Sequence, residues 1–281
     1  MIKNILLYFL LIIIFINNLF GDDNLRWINN LPKPWMMKDH KHISNVLTKF
    51  QKKIPDFHQR LKAINYWRIG TPYGLYKLGE ERGVDKDPLL RIDSSDCTTH
   101  ILTSIALANS SSWDMARGQI VKIHYRNTES MNSYPNYEDR WHFTSDRILN
   151  NIYTNNITDN FSSNFDLSSL KITLNKKNNG HKFLDINWES DQVINFIPKE
   201  YVNKSLLNDL PNICGIAFVK LAYKKMGLLI AHEGVLMDKK DFIHASSEKN
   251  ETVKVDFIKY FWIKGRARFD GIMIFDFIEN K

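Results

Sequence analysis

Cysteine is scarce in this chain: two residues, Cys97 and Cys214, in 281. Two thiols can neither staple a fold nor supply a four-thiolate zinc site, so stability must come from a packed core. Only 8 prolines and 12 glycines are present, which excludes collagen-like and low-complexity architectures. Long blocks of like charge are missing despite a formal net charge of +7, which argues against a dedicated nucleic-acid arm and for a weakly anionic partner surface. No apolar run reaches the roughly 20 residues that a spanning helix requires. What the chain does have is 43% hydrophobic and 12% aromatic residues, ample for a globular core.

The longest apolar run, Ile5 to Ile16, follows Lys3 and precedes Asn17, Asn18 and Gly21. A basic start, a short apolar centre and a small residue at the end describe a secretory signal. The expectation is therefore export to the periplasm or cell envelope, with 1–21 removed or kept as an anchor. No stable membrane span is expected once the signal is removed. The mature chain, 22–281, shows no internal repeat and no convincing boundary, and is read as one domain with a basic helical part over 32–69.

Within that part, Ile43, Val46, Leu47 and Phe50, then Phe57, Leu61 and Ile64, recur at helical spacing on either side of Pro55. Eight Lys or Arg between Pro32 and Lys62 supply most of the charge excess. Asp96-Cys97 opens a further helical pattern with Ile101, Leu102, Ile105 and Ala106 on one side, so Cys97 falls in a first turn with Ser94, Ser95 or Asp96 as cap. Gln119 to Arg126 alternates as a strand would. Leu170 to Asn175 and Lys182 to Trp188 flank Asn178-Asn179-Gly180, a hairpin signal. Strands are expected at Ile213 to Leu221, Leu228 to Met237, Asp241 to Ser246 and Gly271 to Phe277, with a short helical insert over 256–262. Helices first and strands afterwards argue an α+β domain with N-terminal helices packed on a central antiparallel sheet.

Two histidines stand out. His232 and His244 flank the polar turn Asp238-Lys239-Lys240, and a hairpin centred at Asp238 sets them opposite one another on one face, with Cβ atoms about 4.5–5.5 Å apart. Such a pair can serve as base and orienting group. A thiol at a helix N-terminus meets the positive end of the helix dipole, and a nearby imidazolium lowers its pKa further, so Cys97 is a candidate nucleophile. Its backbone N–H can donate to a developing oxyanion. Cys214, between Ile213 and Gly215 in an apolar strand, is expected to be inert.

Asp96-Cys97-Thr98-Thr99, preceded by Gly70-Thr71-Pro72-Tyr73 and followed by His232-Glu233-Gly234-Val235 and His244-Ala245-Ser246-Ser247, resembles the N-acetylmuramoyl-L-alanine amidase-like family of the NlpC-type cell-wall peptidase superfamily. The resemblance implies a papain-like fold, Cys97 as nucleophile, His232 as general base, His244 as its orienting residue and Tyr73 as an oxyanion donor. It places Asp96 beside the nucleophile and sets Asp96, Arg140 and His142, the last two in Arg140-Trp141-His142-Phe143, on the substrate side. His100 is a further side chain that could reach the site. The implied function is a cysteine amidase acting on peptidoglycan or muropeptides, at the N-acetylmuramoyl-L-alanine bond or at a γ-D-glutamyl-diamino acid bond, without cofactor or metal. Two other classes remain: a zinc site built on Cys97, His232 and His244 with His100 or His142, and a non-catalytic wall-binding protein. Oligomeric state is not legible.

Overall fold

The computed structural model describes residues 23–78, 83–84, 89–126 and 135–280. The apolar run from Ile5 to Ile16, the expected signal, lies outside the described residues. Among them, no helix is long and apolar enough to cross a membrane.

A short helix over 23–29 leads into four longer ones. α1 (His40–Lys53) buries Ile43, Val46, Leu47 and Phe50, and α2 (Phe57–Trp67) buries Phe57, Leu61 and Ile64, the stripes the 3.6-residue period requires. Asp39 and Asp56 cap them, accepting from Lys41 N and Gln59 N. α3 (Cys97–Ala108) is apolar almost all round and buried from Thr99 onward. α4 (Trp113–His124) corrects an expectation, since Gln119 to Arg126 is not a strand. Its buried residues Trp113, Ala116, Ile120 and Ile123 recur every three or four positions, and Ser112 caps the start. α5 (Thr144–Asn150), α6 (Lys204–Asp209) and α7 (Phe257–Phe261) are short.

The strands are β1 (Thr154–Asn156), β2 (Ser168–Leu174), β3 (Ser190–Pro198), β4 (Ile213–Val219), β5 (Ile230–Met237), β6 (Asp241–Ser246), β7 (Glu251–Asp256), β8 (Trp262–Ile263), β9 (Arg266–Ala267) and β10 (Gly271–Phe277). The main sheet runs β2-β3-β10-β4-β5-β6-β7, with β1 also on β10, and every pairing is antiparallel. The expected hairpin across Asn178-Asn179-Gly180 is replaced by β2 with β3, in register from Ser168↔Phe196 to Leu174↔Ser190. The Asn-Gly turn is real but closes only the local bridge Lys176↔Lys182 within the long connection.

Alternation along the strands splits the core in two. One face of the sheet, with Ala217, Val235, Met237, Ile243 and Phe275, packs against α1 to α4. The other face, with Ile216, Phe218, Leu236, Phe242 and Ile274, is covered by α6, α7 and Phe269. The molecule is thus an α+β fold, with the sheet buried on both sides.

Candidate active site

β5 and β6 pair only from Val235↔Ile243 to Met237↔Asp241. Beyond Gly234 the two strands diverge, and α3 enters from the helical face of the sheet at that point. Gly234 is needed where they meet, because a Cβ there would stand 2.4 Å from the Phe242 ring and 2.7 Å from the Ile243 carbonyl. In the gap, Cys97 lies against Glu233 of β5, whose backbone N–H favours the thiolate and whose carboxylate opposes it. Asp96 Oδ1 accepts from Thr99 N at 2.8 Å and so fixes Cys97 as the first residue of α3.

The observed register moves the centre of the β5–β6 hairpin from Asp238 to Lys239. Asp238 and Lys239 both take positive φ, 51° and 56°, closing a tight turn with Lys240 N on the Met237 carbonyl. His232 and His244 are therefore diagonal rather than directly opposite. A shift of two positions preserves parity, and the rings still meet: His232 Nε2 lies 2.8 Å from His244 Nδ1, with the planes at 87°. Phe218 and Phe242 pack against His232, and Phe242 and Tyr260 against His244, which leaves the rings little freedom to turn.

Cys97 and His232 line one cavity of about 170 Å³, together with Thr98, His142 to Ser145 and Leu228 to Ala231. The sulfur and the imidazole make no hydrogen bond in this resting arrangement. With Nε2 held by His244, His232 Nδ1 has no hydrogen-bond partner among the described residues. Such contacts tighten only when substrate is bound in many enzymes.

The electrostatics reverse one expectation. Burial, reinforced by the carboxylates of Glu233 and Asp96, pushes the Cys97 thiol up to about 12. The same burial pulls His232 down to about 3, helped by His244 and Arg268, and His244 down to about 4. The helix dipole is overridden, because desolvation of a thiolate beside two carboxylates costs more than the first-turn N–H groups return. The resting pair is a thiol and a neutral imidazole.

Tyr73 is carried on a strap that begins at Gly70, whose φ of +92° suits glycine. The strap extends the sheet edge: Gly70 N and Tyr73 N donate to the Thr252 and Asn250 carbonyls at 2.8 Å, and Thr252 N donates to Thr71. Its other side bridges Ser95, next to the cap of α3. Burial and the proximity of Cys97 and Asp96 raise the Tyr73 hydroxyl above its usual value, so it stays protonated and able to donate.

Other expectations resolve differently. Asp96 acts as a helix cap through Oδ1, which is a structural role in addition to the one expected of it. Arg140 is buried outside the Cys97 cavity, donating to the Leu78 carbonyl and Tyr125 hydroxyl and lying 5.1 Å from the Tyr137 ring centre. His142 does line the cavity and contacts the Tyr137 carbonyl at 2.7 Å. His100 does not reach the site: it is fully buried on the inner face of α3, against Asn65 Oδ1 at 2.8 Å. Cys214 is fully buried, and burial raises its thiol pKa. Among the described residues, no group of three or more His, Cys, Asp or Glu converges as a metal site.

One residue escaped the sequence reading. Glu233 and Arg147 are both 0% exposed and form an ion pair beneath Cys97. Glu233 Oε1 also accepts from Thr98 Oγ1 at 2.8 Å and Thr144 Oγ1 at 3.1 Å. The carboxylate thus ties α3, α5 and β5 together. A glutamate inside an otherwise apolar strand was the available signal.

Residues 47–265 match the AmiA-like family, described as N-acetylmuramoyl-L-alanine amidase-like. The chain belongs to this family. Similar solved structures include a Legionella pneumophila protein assigned to DUF1460, at 20% identity over 85% of this chain and 96% of that one, with a TM-score of 0.66. An N-acetylmuramoyl-L-alanine amidase from Bacteroides uniformis matches at 18% identity over 78% and 99%, with a TM-score of 0.59. A Bacteroides fragilis protein provisionally named a xylanase matches at 21% over 76% and 99%, with a TM-score of 0.58. These likenesses establish a shared fold, and the differing names show that the substrate must be argued from the site. No curated protein matches the chain significantly.

Proposed function

We propose that this AmiA-like chain is a cysteine-dependent amidase of the papain-like NlpC type that hydrolyses an amide of peptidoglycan, with N-acetylmuramoyl-L-alanine as the favoured bond. The observation that carries the reading is the shared cavity: a thiol at the first position of a helix, facing a histidine whose far nitrogen is held 2.8 Å from a second histidine.

The neutral pair defines the order of events. His232 Nδ1 takes the Cys97 proton as the sulfur attacks the amide carbon, so charge separation develops with the reaction rather than before it. For Nδ1 to be free, the proton of His232 resides on Nε2 and is donated to His244 Nδ1, which fixes the tautomer. The tetrahedral oxyanion is met by the Cys97 backbone N–H and the Tyr73 hydroxyl. Imidazolium returns its proton to the departing amine, and water then hydrolyses the thioester. The family's name favours the muramoyl-L-alanine bond; the γ-D-glutamyl bond is the alternative. The apolar leader would deliver the enzyme to the envelope, where the basic segment 32–62 attracts an anionic polymer.

Mass spectrometry of muropeptides after digestion tests this. The parent should release fragments whose masses identify one cleaved amide, and Cys97→Ala should release none. Equal release by the two would remove the thiol from the mechanism, and binding to sacculi without any release would favour a wall-binding protein.

A further inference from the structure

A second cavity, of about 200 Å³, adjoins the first and shares Ala231 and His232 with it. It lies on the far side of the histidine pair and is lined by Tyr223, His244, Ser246, Ser247, Tyr260 and Arg268, together with Glu248 and Phe269. Arg268 is built into the wall. Its guanidinium lies 4.4 Å from the Tyr260 ring centre and 5.7 Å from that of Phe269, its carbonyl accepts from Lys220 Nζ at 2.9 Å, and its side chain is 24% exposed. Glu248 takes a single donor, Nη2, at 2.8 Å. Nε and Nη1 make no hydrogen bond with the described residues, and neither do the Tyr223 and Tyr260 hydroxyls or Ser247. His244, 2% exposed, borders the cavity, and its Nε2 has no partner.

These groups are donors, and Glu248, whose side chain is 70% exposed, can swing aside. Both bidentate faces of the guanidinium, Nε with Nη2 and Nη1 with Nη2, include Nη2, so once Glu248 swings aside a planar anion can accept two parallel bonds there. We propose that this second cavity is a carboxylate-binding subsite, in which Arg268 holds a stem-peptide carboxylate close to the scissile amide. The inference rests on the amidase reading for the identity of the ligand, though not for the existence of the subsite. Arg268 acts in recognition and touches none of the reacting atoms.

The test uses Cys97→Ala, which binds without turnover, and two ligands differing only in charge at the glutamyl carboxyls: N-acetylmuramoyl-L-alanyl-D-glutamate and its α,γ-dicarboxamide counterpart. Titration calorimetry should show the carboxylate bound roughly 10-fold tighter or more, the range of a hydrogen-bonded ion pair. Adding Arg268→Gln should erase that preference while leaving affinity for the carboxamide within about twofold. Adding Glu248→Gln instead should strengthen the carboxylate complex, because a competing anion is gone. An unchanged preference in Arg268→Gln, equal losses for both ligands, or no binding of either at millimolar concentration would overturn the subsite. A parent chain that releases no product from either ligand, while Cys97→Ala still prefers the carboxylate, would remove the amidase reading and leave the subsite standing.

Discussion

Glu233→Gln is the most informative single change near Cys97. The carboxylate is fully buried, pairs with the equally buried Arg147, and accepts from Thr98 and Thr144. Glutamine keeps the shape and one acceptor oxygen but leaves the guanidinium without a counter-charge. Breaking a buried pair from one side costs about 3–5 kcal/mol. For a chain of this length, that corresponds to a fall in Tm of roughly 6–20 °C, at ~2–4 °C per kcal/mol. The assay is thermal and urea unfolding of Glu233→Gln, Arg147→Met and the double variant. The double variant should recover much of the loss, since it removes both charges together. A loss below ~1 kcal/mol for Glu233→Gln, or strict additivity in the double variant, would refute the reasoning.

Tyr73→Phe should lower kcat by roughly 10²–10³-fold, the usual worth of one oxyanion donor, with an unchanged unfolding midpoint; a rate within a few-fold of the parent would clear Tyr73 of that role. Asp96→Ala should cost about 1 kcal/mol through the lost cap, and Asp96→Ser should restore it, whereas a raised KM with unchanged stability would leave Asp96 with the substrate role alone. Iodoacetamide should modify Cys97 slowly at neutral pH and faster as pH rises, because burial and two carboxylates raise the thiol pKa; a rate that plateaus by pH 6 would mean a preformed thiolate-imidazolium pair. Acid stability follows from His100, His124, His232 and His244, all held below their ordinary values by burial. Above about pH 6.5 both folded and unfolded chains carry these rings neutral, so stability is full. Below it the unfolded chain gains protons that the folded chain refuses, and stability falls toward the folded values of about 3 for His232 and about 4 for His244, at up to ~1.4 kcal/mol per pH unit for each ring. Urea unfolding at a series of pH values checks this, and a flat profile from pH 7 to 5 would contradict it.

Legibility in the sequence followed the physics of each signal. The stripes of α1 and α2 and the apolar strands β4, β5, β6 and β10 could be read because burial imposes their periods, whereas three adjacent residues, Ser94, Ser95 and Asp96, were equally able to cap α3. α4 was misread because Gln119 to Arg126 alternates locally, and only the wider spacing of Trp113, Ala116, Ile120 and Ile123 shows the helix. β3 was missed because the Asn-Gly turn pointed to a nearer partner, and β7 because an edge strand with Glu251, Lys254 and Asp256 carries few apolar residues. At the site, the histidine parity was readable, but the register was not, since it depends on the tight turn at Asp238 and Lys239. The direction of the Cys97 shift could not be foreseen, because it depends first on how far tertiary packing removes the sulfur from water and then on the approach of the Glu233 carboxylate.

The most direct test of the central claim is the mass of the intact protein, quenched in acid during turnover of a muropeptide. The account predicts an acyl adduct on Cys97, lost on mild alkaline hydroxylamine treatment and absent from Cys97→Ala, with the mass of the muramoyl part. Turnover at full rate with no adduct on the parent and undiminished product from Cys97→Ala would contradict it.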